Sequence, residues 1–193
     1  GQFAFIPVFE PSNQQEAYDM TVAAFDFSEK HNVAVLLRIT TRLAHSRAGV
    51  KCHYKREQNK LKFPDNPRRF ILLPAIARKQ YIALLEKQEA IRKDIESSTF
   101  CTYIDGEDKS MGIITSGIAF NYLQENYQDK KCPYPIVKIT QYPLPLKYIN
   151  KLADECDSLM LIEEGYPLIE QQIKGLLNRG LKVKGRLDGS IPR

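Results

Sequence analysis

With 193 residues the chain has room for one large or two small domains, and a core of that size buries roughly 70% of the unfolded surface, so no disulfide or metal is required to hold it. Its net charge of +5 is mild, and lysines and arginines alternate with glutamates and aspartates almost everywhere; no basic face or stacking motif emerges, so nucleic-acid binding is not indicated. No run approaches the ~18 apolar residues of a membrane-spanning helix, and no basic-then-apolar signal segment is present, so no membrane role is expected.

Gly1 stands where an initiator methionine is expected and resembles the residue left after tag removal; the sequence then runs straight into apolar residues, which suggests a piece of a longer protein. Phe5 to Phe9 reads as a short strand that Pro7 confines to an edge or an end. Ser12 or Asn13 is a natural N-cap, and Glu16 completes a capping box for a helix from about Gln14 to Lys30. That helix places Ala17, Met20, Ala24 and Phe27 on one side, with Val22 and Phe25 flanking, and ends at His31-Asn32. Val33 to Ile39 has the unbroken apolar character of a buried parallel strand, so the first third reads as a β-α-β unit.

The segment leaving that strand is crowded with donors: Arg38, Thr40, Thr41, Arg42, His45, Ser46 and Arg47. Residues 48–70 are polar and basic, with Pro64 and Pro67, and read as a linker. From Leu72 to Ile95 a long helical pattern carries Ile76, Ile82, Leu85, Ile91 and Ile95 among many charges, as a helix bridging two lobes would.

The last ninety residues alternate strand and helix. Strands are expected at Phe100–Ile104, Met111–Thr115, Pro135–Thr140, Leu159–Ile162 and Leu181–Lys184, with helices at about Ile118–Asn126 and Pro145–Cys156 and another opened by Pro167. In that last helix Leu168, Ile169, Ile173, Leu176 and Leu177 recur at helical spacing, and Gly180 stops it. A three-layer α/β/α sheet is the natural result.

Four cysteines, Cys52, Cys101, Cys132 and Cys156, lie far apart without a C-x-x-C pair, as expected of reduced thiols in a cytoplasmic protein rather than of zinc or iron–sulfur ligands. Met111 to Gly117 could seat an anion on a helix N-terminus, but it lacks both G-x-G-x-x-G and the P-loop lysine; a tight turn needing small residues is the favoured reading. Glu163 and Glu164 stand at the carboxyl edge of a strand, where ligands and partners bind in open α/β sheets. Being adjacent they point to opposite sides, and nothing nearby supplies a nucleophile, so a helix-dipole and contact role outweighs catalysis. Arg38, Arg42 and His45, which is one of three histidines with His31 and His53, could hold a carboxylate or phosphate, or could satisfy loop carbonyls and a neighbouring chain. No order of residues supports a self-contained hydrolase.

Five collinear segments together carry a family resemblance: Ile6–Ala17, Leu37–Ser46, Gly112–Ala119, Leu161–Glu170 and Lys184–Gly189. They resemble the large (alpha) subunits of indolepyruvate ferredoxin oxidoreductases, a family of thiamine-diphosphate-dependent 2-oxoacid:ferredoxin oxidoreductases, along the whole chain. The resemblance implies an α/β fold. Residues 1–50 would close a pyrimidine-binding domain, 51–97 would be a linker and bridging helix, and 98–193 would form a transketolase C-terminal-like domain with a five-stranded sheet. It implies a parent that oxidatively decarboxylates an aryl 2-oxoacid, with coenzyme A as acyl acceptor and ferredoxin as electron acceptor. It also implies that the glutamate activating the cofactor, the ligands of the diphosphate and Mg²⁺, and the 4Fe–4S clusters lie outside this chain, which by itself would be inactive. Arg38, Thr40, Thr41, Arg42 and His45 are then candidates for the substrate or cofactor mouth. Ser116, Gly117, Glu163 and Glu164 are candidates for contact with another domain or subunit. The expected partners are the rest of the parent chain, a smaller beta subunit and ferredoxin, with self-association of the bare faces. A non-catalytic interaction module, or a related subunit acting on pyruvate or a branched-chain 2-oxoacid, stands as the alternative.

Overall fold

The computed structural model describes residues 1–52, 55, 58, 60–128, 130–176, 180–185 and 188–191. His53, Leu177 and residues 186–187 of the last motif lie outside the described residues. Two sheets organise the chain: three strands in the order Leu36–Leu37, Val8–Phe9, Gln141–Tyr142, and five in the order Thr102–Ile104, Ile136–Ile139, Gly112–Ser116, Ser158–Ile162, Lys182–Lys184.

The chain enters by a turn rather than a strand. Ala4 N–H and Ile6 N–H donate to the Gly1 carbonyl, and Phe5 takes a positive φ of 55°, so the expected strand shrinks to β1 (Val8–Phe9) after Pro7. Helix α1 (Gln14–His31) follows, and its start obeys the capping logic with a shift of one residue. Asn13 Oδ1 accepts from Glu16 N–H at 2.9 Å, while Glu16 Oε2 accepts from Ser12 N–H at 2.8 Å. Asn32 in the left-handed region closes it. Met20 is fully buried, but Phe25 points to solvent.

β2 (Leu36–Leu37) pairs in parallel with β1, so the β-α-β unit forms as expected. Burial on both faces does not follow: β2 is an edge strand, and Leu36 and Ile39 stay 42% and 45% exposed. A short helix, α2 (Thr41–His45), comes next. A 3₁₀ turn at Pro67–Phe70 then leads to α3 (Pro74–Glu96), which Pro74 opens at a first-turn position. Of its apolar stripe only Ile91 and Ile95 are buried, against Cys101, Phe27 and Val33; Ile82 and Leu85 are exposed. At the junction of α1 and α3, His31 Nε2 and Lys30 Nζ meet Asp94 Oδ2 at 2.7 and 2.6 Å. Burial alone would raise the Asp94 carboxyl, but hydrogen bonds from Lys30 and His31 outweigh it and hold the group below its usual value.

The second sheet is built from β3 (Thr102–Ile104), β4 (Gly112–Ser116), β5 (Ile136–Ile139), β7 (Ser158–Ile162) and β8 (Lys182–Lys184). β4, β5, β7 and β8 are mutually parallel; β3 is antiparallel to β5 at one edge. Alternation along the strands sends residues to two layers. Ile113 and Ile136 pack with Phe120 and Leu123 of α4 (Ala119–Glu125) on one face. Ile114, Val137, Ile139, Leu159 and Leu161 pack on the other with Ile149, Leu152 and Ala153 of α5 (Leu146–Glu155) and Ile169 and Ile173 of α6 (Leu168–Leu176). The three-layer architecture is therefore the one the alternation implied. Gly112 is where α5 comes closest: a Cβ there would lie 2.6 Å from Leu152 Cγ.

The element the sequence did not announce is β6 (Gln141–Tyr142), two residues beyond β5. It pairs antiparallel with β1, Val8 against Tyr142 and Phe9 against Gln141, and Glu10 N–H donates to the Thr140 carbonyl at 2.7 Å. The first fifty residues are thereby stitched to the chain that forms the second sheet. A buried ion pair from Lys138 of β5 to Glu16 of α1, and a 2.8 Å bond from Asn121 Nδ2 to the Ser12 carbonyl, reinforce the seam.

Candidate functional site

Parallel strands send their carboxyl ends to one edge of a sheet, and here the edges of both sheets meet. Glu10 follows β1, Arg38 follows β2, Ser116 ends β4, and Glu163 and Glu164 follow β7; all five line one cleft of about 730 Å³. Phe5, Ile6, Leu36, Leu144, Tyr166 and Leu168 supply apolar wall, and Gln88 and Arg92 reach in from α3.

Glu10 is the pivot. It is 4% exposed, ion-paired to Arg38 and 3.1 Å from the Tyr142 hydroxyl, which donates to its Oε2. Burial pushes its carboxyl up; Arg38 and Tyr142 oppose that, and the nearby Glu164 carboxylate adds to it. The Tyr142 phenol lies well above its ordinary value, first through burial and then because Glu10 stands beside it. Gly117, at a φ of +49°, leaves room for this group: a Cβ there would fall 2.6 Å from Glu10 Oε1. The tight-turn reading of the Met111–Gly117 motif thus has a physical cause in the close approach of a carboxylate. The following helix, α4, has only seven residues.

The two adjacent glutamates divide as strand alternation required. Glu163 folds back onto α6, its carboxylate accepting from Ile169 N–H at 2.7 Å and Glu170 N–H at 3.0 Å, which satisfies two donors at the helix start. Glu164 stays in the cleft, and its Oε2 is buried with no hydrogen-bond partner.

Of the donor-rich segment only Arg38 lines the cleft. Thr40 caps α2 by position, and its buried hydroxyl makes no hydrogen bond. Thr41 and His45 are exposed, and Arg42 stacks over the Tyr122 ring at 5.0 Å. Sequence reasoning passed over Glu10, Tyr142 and Arg92. Glu10 carried one usable signal, its place directly after a strand; Tyr142 and Arg92 carried none.

The cleft does not suit a magnesium diphosphate. It presents three carboxylates, its Arg38 charge is already held by Glu10, and among the described residues no three His, Cys, Asp or Glu side chains converge to hold a metal ion. The cysteines do not cluster: Cys52 is exposed, Cys101 and Cys156 are buried and Cys132 lies between. Among the described residues no helix is long and apolar enough to cross a membrane.

The fold is shared with 2-oxoacid:ferredoxin oxidoreductases. A 2-oxoglutarate:ferredoxin oxidoreductase from Magnetococcus marinus, in a structure with 2-oxoglutarate, coenzyme A and succinyl-CoA bound, superposes with a TM-score of 0.60 and 11% identity, over 93% of this chain and 38% of its own. No protein-family model matches the sequence. Sequence similarity is closer to the indolepyruvate oxidoreductase subunit IorA. The Thermococcus kodakarensis subunit is 35% identical over an alignment 206 positions long, gaps included, covering 100% of this chain and 31% of the subunit. The Methanothermobacter thermautotrophicus subunit is 32% identical over an alignment of 197 positions, covering 99% and 32%. The chain is similar along its whole length to IorA subunits, and it spans about a third of the length of the curated relatives it matches.

Proposed function

We propose that the chain is the part of an indolepyruvate:ferredoxin oxidoreductase subunit that joins the end of a pyrimidine-binding domain (residues 1–50) through a linker and bridging helix (51–97) to a transketolase C-terminal-like domain (98–193). In the whole enzyme an aryl 2-oxoacid loses CO₂, its acyl group passes to coenzyme A and two electrons pass to ferredoxin. Thiamine diphosphate, where it is bound, stabilises the carbanion left by decarboxylation. This chain contributes framework and the walls of a cleft, and the reacting groups, the Mg²⁺ ligands and the 4Fe–4S clusters lie in other parts of the enzyme. The beta subunit and ferredoxin are the partners of that whole. The observation that carries the reading is the 35% identity to an IorA subunit over an alignment that covers the whole of this chain.

Replacing the matching third of the Thermococcus subunit with this chain tests it. The hybrid should reduce ferredoxin with indolepyruvate and coenzyme A. A hybrid that assembles with its cofactors yet turns over only a non-aryl 2-oxoacid would refute the substrate assignment. Within the segment, Arg38, Thr40, Thr41, Arg42 and His45 are proposed to face the substrate or cofactor side of the assembly. Replacement of Arg38 in the hybrid should then change the KM for the oxoacid.

A second reading, a subunit-interaction module, is favoured by a run of exposed apolar side chains. Leu61, Phe63, Phe70 and Leu72 are each at least 65% exposed before α3 begins. On that reading the chain self-associates, and sedimentation over a concentration series should show dimers or larger species.

A further inference from the structure

Charges of both signs alternate along most of the chain, but not on the approach to α3. Residues 60–85 hold six cations, Lys60, Lys62, Arg68, Arg69, Arg78 and Lys79, against a single acid, Asp65. That net charge equals the +5 of the whole chain, so everything outside this stretch sums to zero. All six cations are exposed. Large apolar side chains stand between them. Leu61 is 90% exposed, Phe63 97%, Phe70 65% and Leu72 89%, and Ile71 and Leu73 are at least half exposed. On α3 the pattern continues along one face, where Arg78, Ile82 and Leu85 follow at helical spacing and are all exposed. Apart from the 3₁₀ turn at Pro67–Phe70, residues 60–73 form neither helix nor strand, so they present a strip rather than a groove.

A partner for this strip has to offer negative charge and apolar room together. A nucleic acid offers the charge, but only the two phenylalanines can stack on bases, and Leu61, Ile71, Leu72 and Leu73 would stay in water. A second copy meeting strip to strip would set like charges against each other. The acidic corner of a second copy does not fit either. Asp105, Glu107, Asp108, Glu155 and Asp157 gather there, with Lys109 bridging Asp105 and Glu155, yet among the described residues no large apolar side chain between 86 and 165 is exposed. An anionic bilayer supplies both features, a layer of negative headgroups over hydrocarbon, and requires no matching shape. The apolar runs are too short for a spanning helix, but lying in the interface needs none.

We propose that residues 60–85 form a contact strip for an anionic lipid surface, with the lysines and arginines on the headgroups and Leu61, Phe63, Phe70 and Leu72 in the boundary layer. The proposal does not depend on the enzymatic reading above, and it competes with self-association for the same side chains.

Co-sedimentation of the 193-residue chain with lipid vesicles tests it. Phosphatidylcholine vesicles with about 30% phosphatidylglycerol should take up the chain at least about ten-fold more strongly than phosphatidylcholine alone, since each cation at an anionic surface is worth about five-fold. Raising the salt from about 0.05 M to about 0.5 M should cut that uptake by about ten-fold or more. Leu61→Ser with Phe63→Ser, and separately Arg68→Gln with Arg69→Gln, should each weaken uptake by about ten-fold or more. The melting transition should stay in place in both, because all four side chains are exposed. No uptake at about 5 mM lipid, equal uptake by neutral vesicles, or unchanged uptake in the Leu61→Ser/Phe63→Ser variant would overturn it. Binding of poly-L-glutamate as tight as that of the anionic vesicles would overturn it too, and would assign the strip to an acidic protein. The comparison of vesicles needs no variant, so a substitution that unfolds the chain does not leave the question open.

Discussion

Lys138 offers the sharpest test of how the two sheets are joined. It lies on a strand of the second sheet with its side chain 9% exposed. Its ammonium is paired with Glu16 of α1, 21% exposed, and lies 4.5 Å from the centroid of Phe120. Lys138→Met keeps most of the aliphatic stem and removes the charge. Breaking one side of a buried pair costs about 3–5 kcal/mol, because the other charge is left out of water without its partner. Glu16 keeps two other donors, Ser12 N–H at 2.8 Å and Ser12 Oγ at 2.7 Å, so the low end applies, about 3 kcal/mol. For a chain of this length that is a fall of roughly 6–12 °C in the melting midpoint. Urea unfolding of Lys138→Met, Glu16→Gln and the double variant gives the coupling directly. The double variant should be less destabilised than the sum of the two by at least about 1 kcal/mol. A loss below about 0.5 kcal/mol for Lys138→Met, or strictly additive losses, would refute the docking of α1 onto β5.

Three further outcomes are expected. Because the Glu10 carboxyl is raised in the folded state, its stabilising contribution is full below its unfolded value near 4.5 and is lost as pH rises through the folded value. Urea midpoints across pH 4 to 7 should therefore fall with pH in the natural chain relative to Glu10→Gln, and a difference curve that rises instead would contradict the assignment. Gly117→Ala meets both a φ of +49° and the Glu10 carboxylate, so it should cost about 2 kcal/mol in the same unfolding assay. Glu163→Ala removes the acceptor of two helix-start amides and should cost about 1–2 kcal/mol, with faster hydrogen exchange at Ile169 and Glu170; unchanged exchange there would show that the cap is not formed.

What the residues disclosed in advance was local. Asn13 and Glu16 marked a helix start, Asn32 its end, and runs such as Leu159–Ile162 marked strands, because capping chemistry and hydrophobic period act within a few residues. The five-stranded sheet and its three layers followed from alternation. β6 stayed hidden because nothing in Gln141-Tyr142 distinguishes it from a loop; its partner lies more than 130 residues earlier. The same distance hid the site. Arg38 stood out as a donor at a strand end, but its counter-ion Glu10 is 28 residues away in a stretch that read only as the approach to a helix. The rest of the donor-rich segment turns into α2, a five-residue helix that carries Thr41 and His45 to the surface and Arg42 onto Tyr122. Val33–Ile39 misled in a different way: its apolar run was real, but as the edge of its sheet β2 keeps a solvent-facing side.

Native-state hydrogen exchange asks most directly whether the carboxyl edges of the two sheets form one body around Glu10. The Glu10 and Arg38 amides, which donate to the Thr140 and Phe9 carbonyls, belong to the three-stranded sheet, and Val137 belongs to an interior strand of the other. With the cleft built jointly, Glu10 should open within about 1 kcal/mol of Val137 and merge with it as urea is raised. Exchange at Glu10 and Arg38 several kcal/mol easier, and independent of urea, would mean that the first fifty residues come away on their own and that no shared cleft persists in solution.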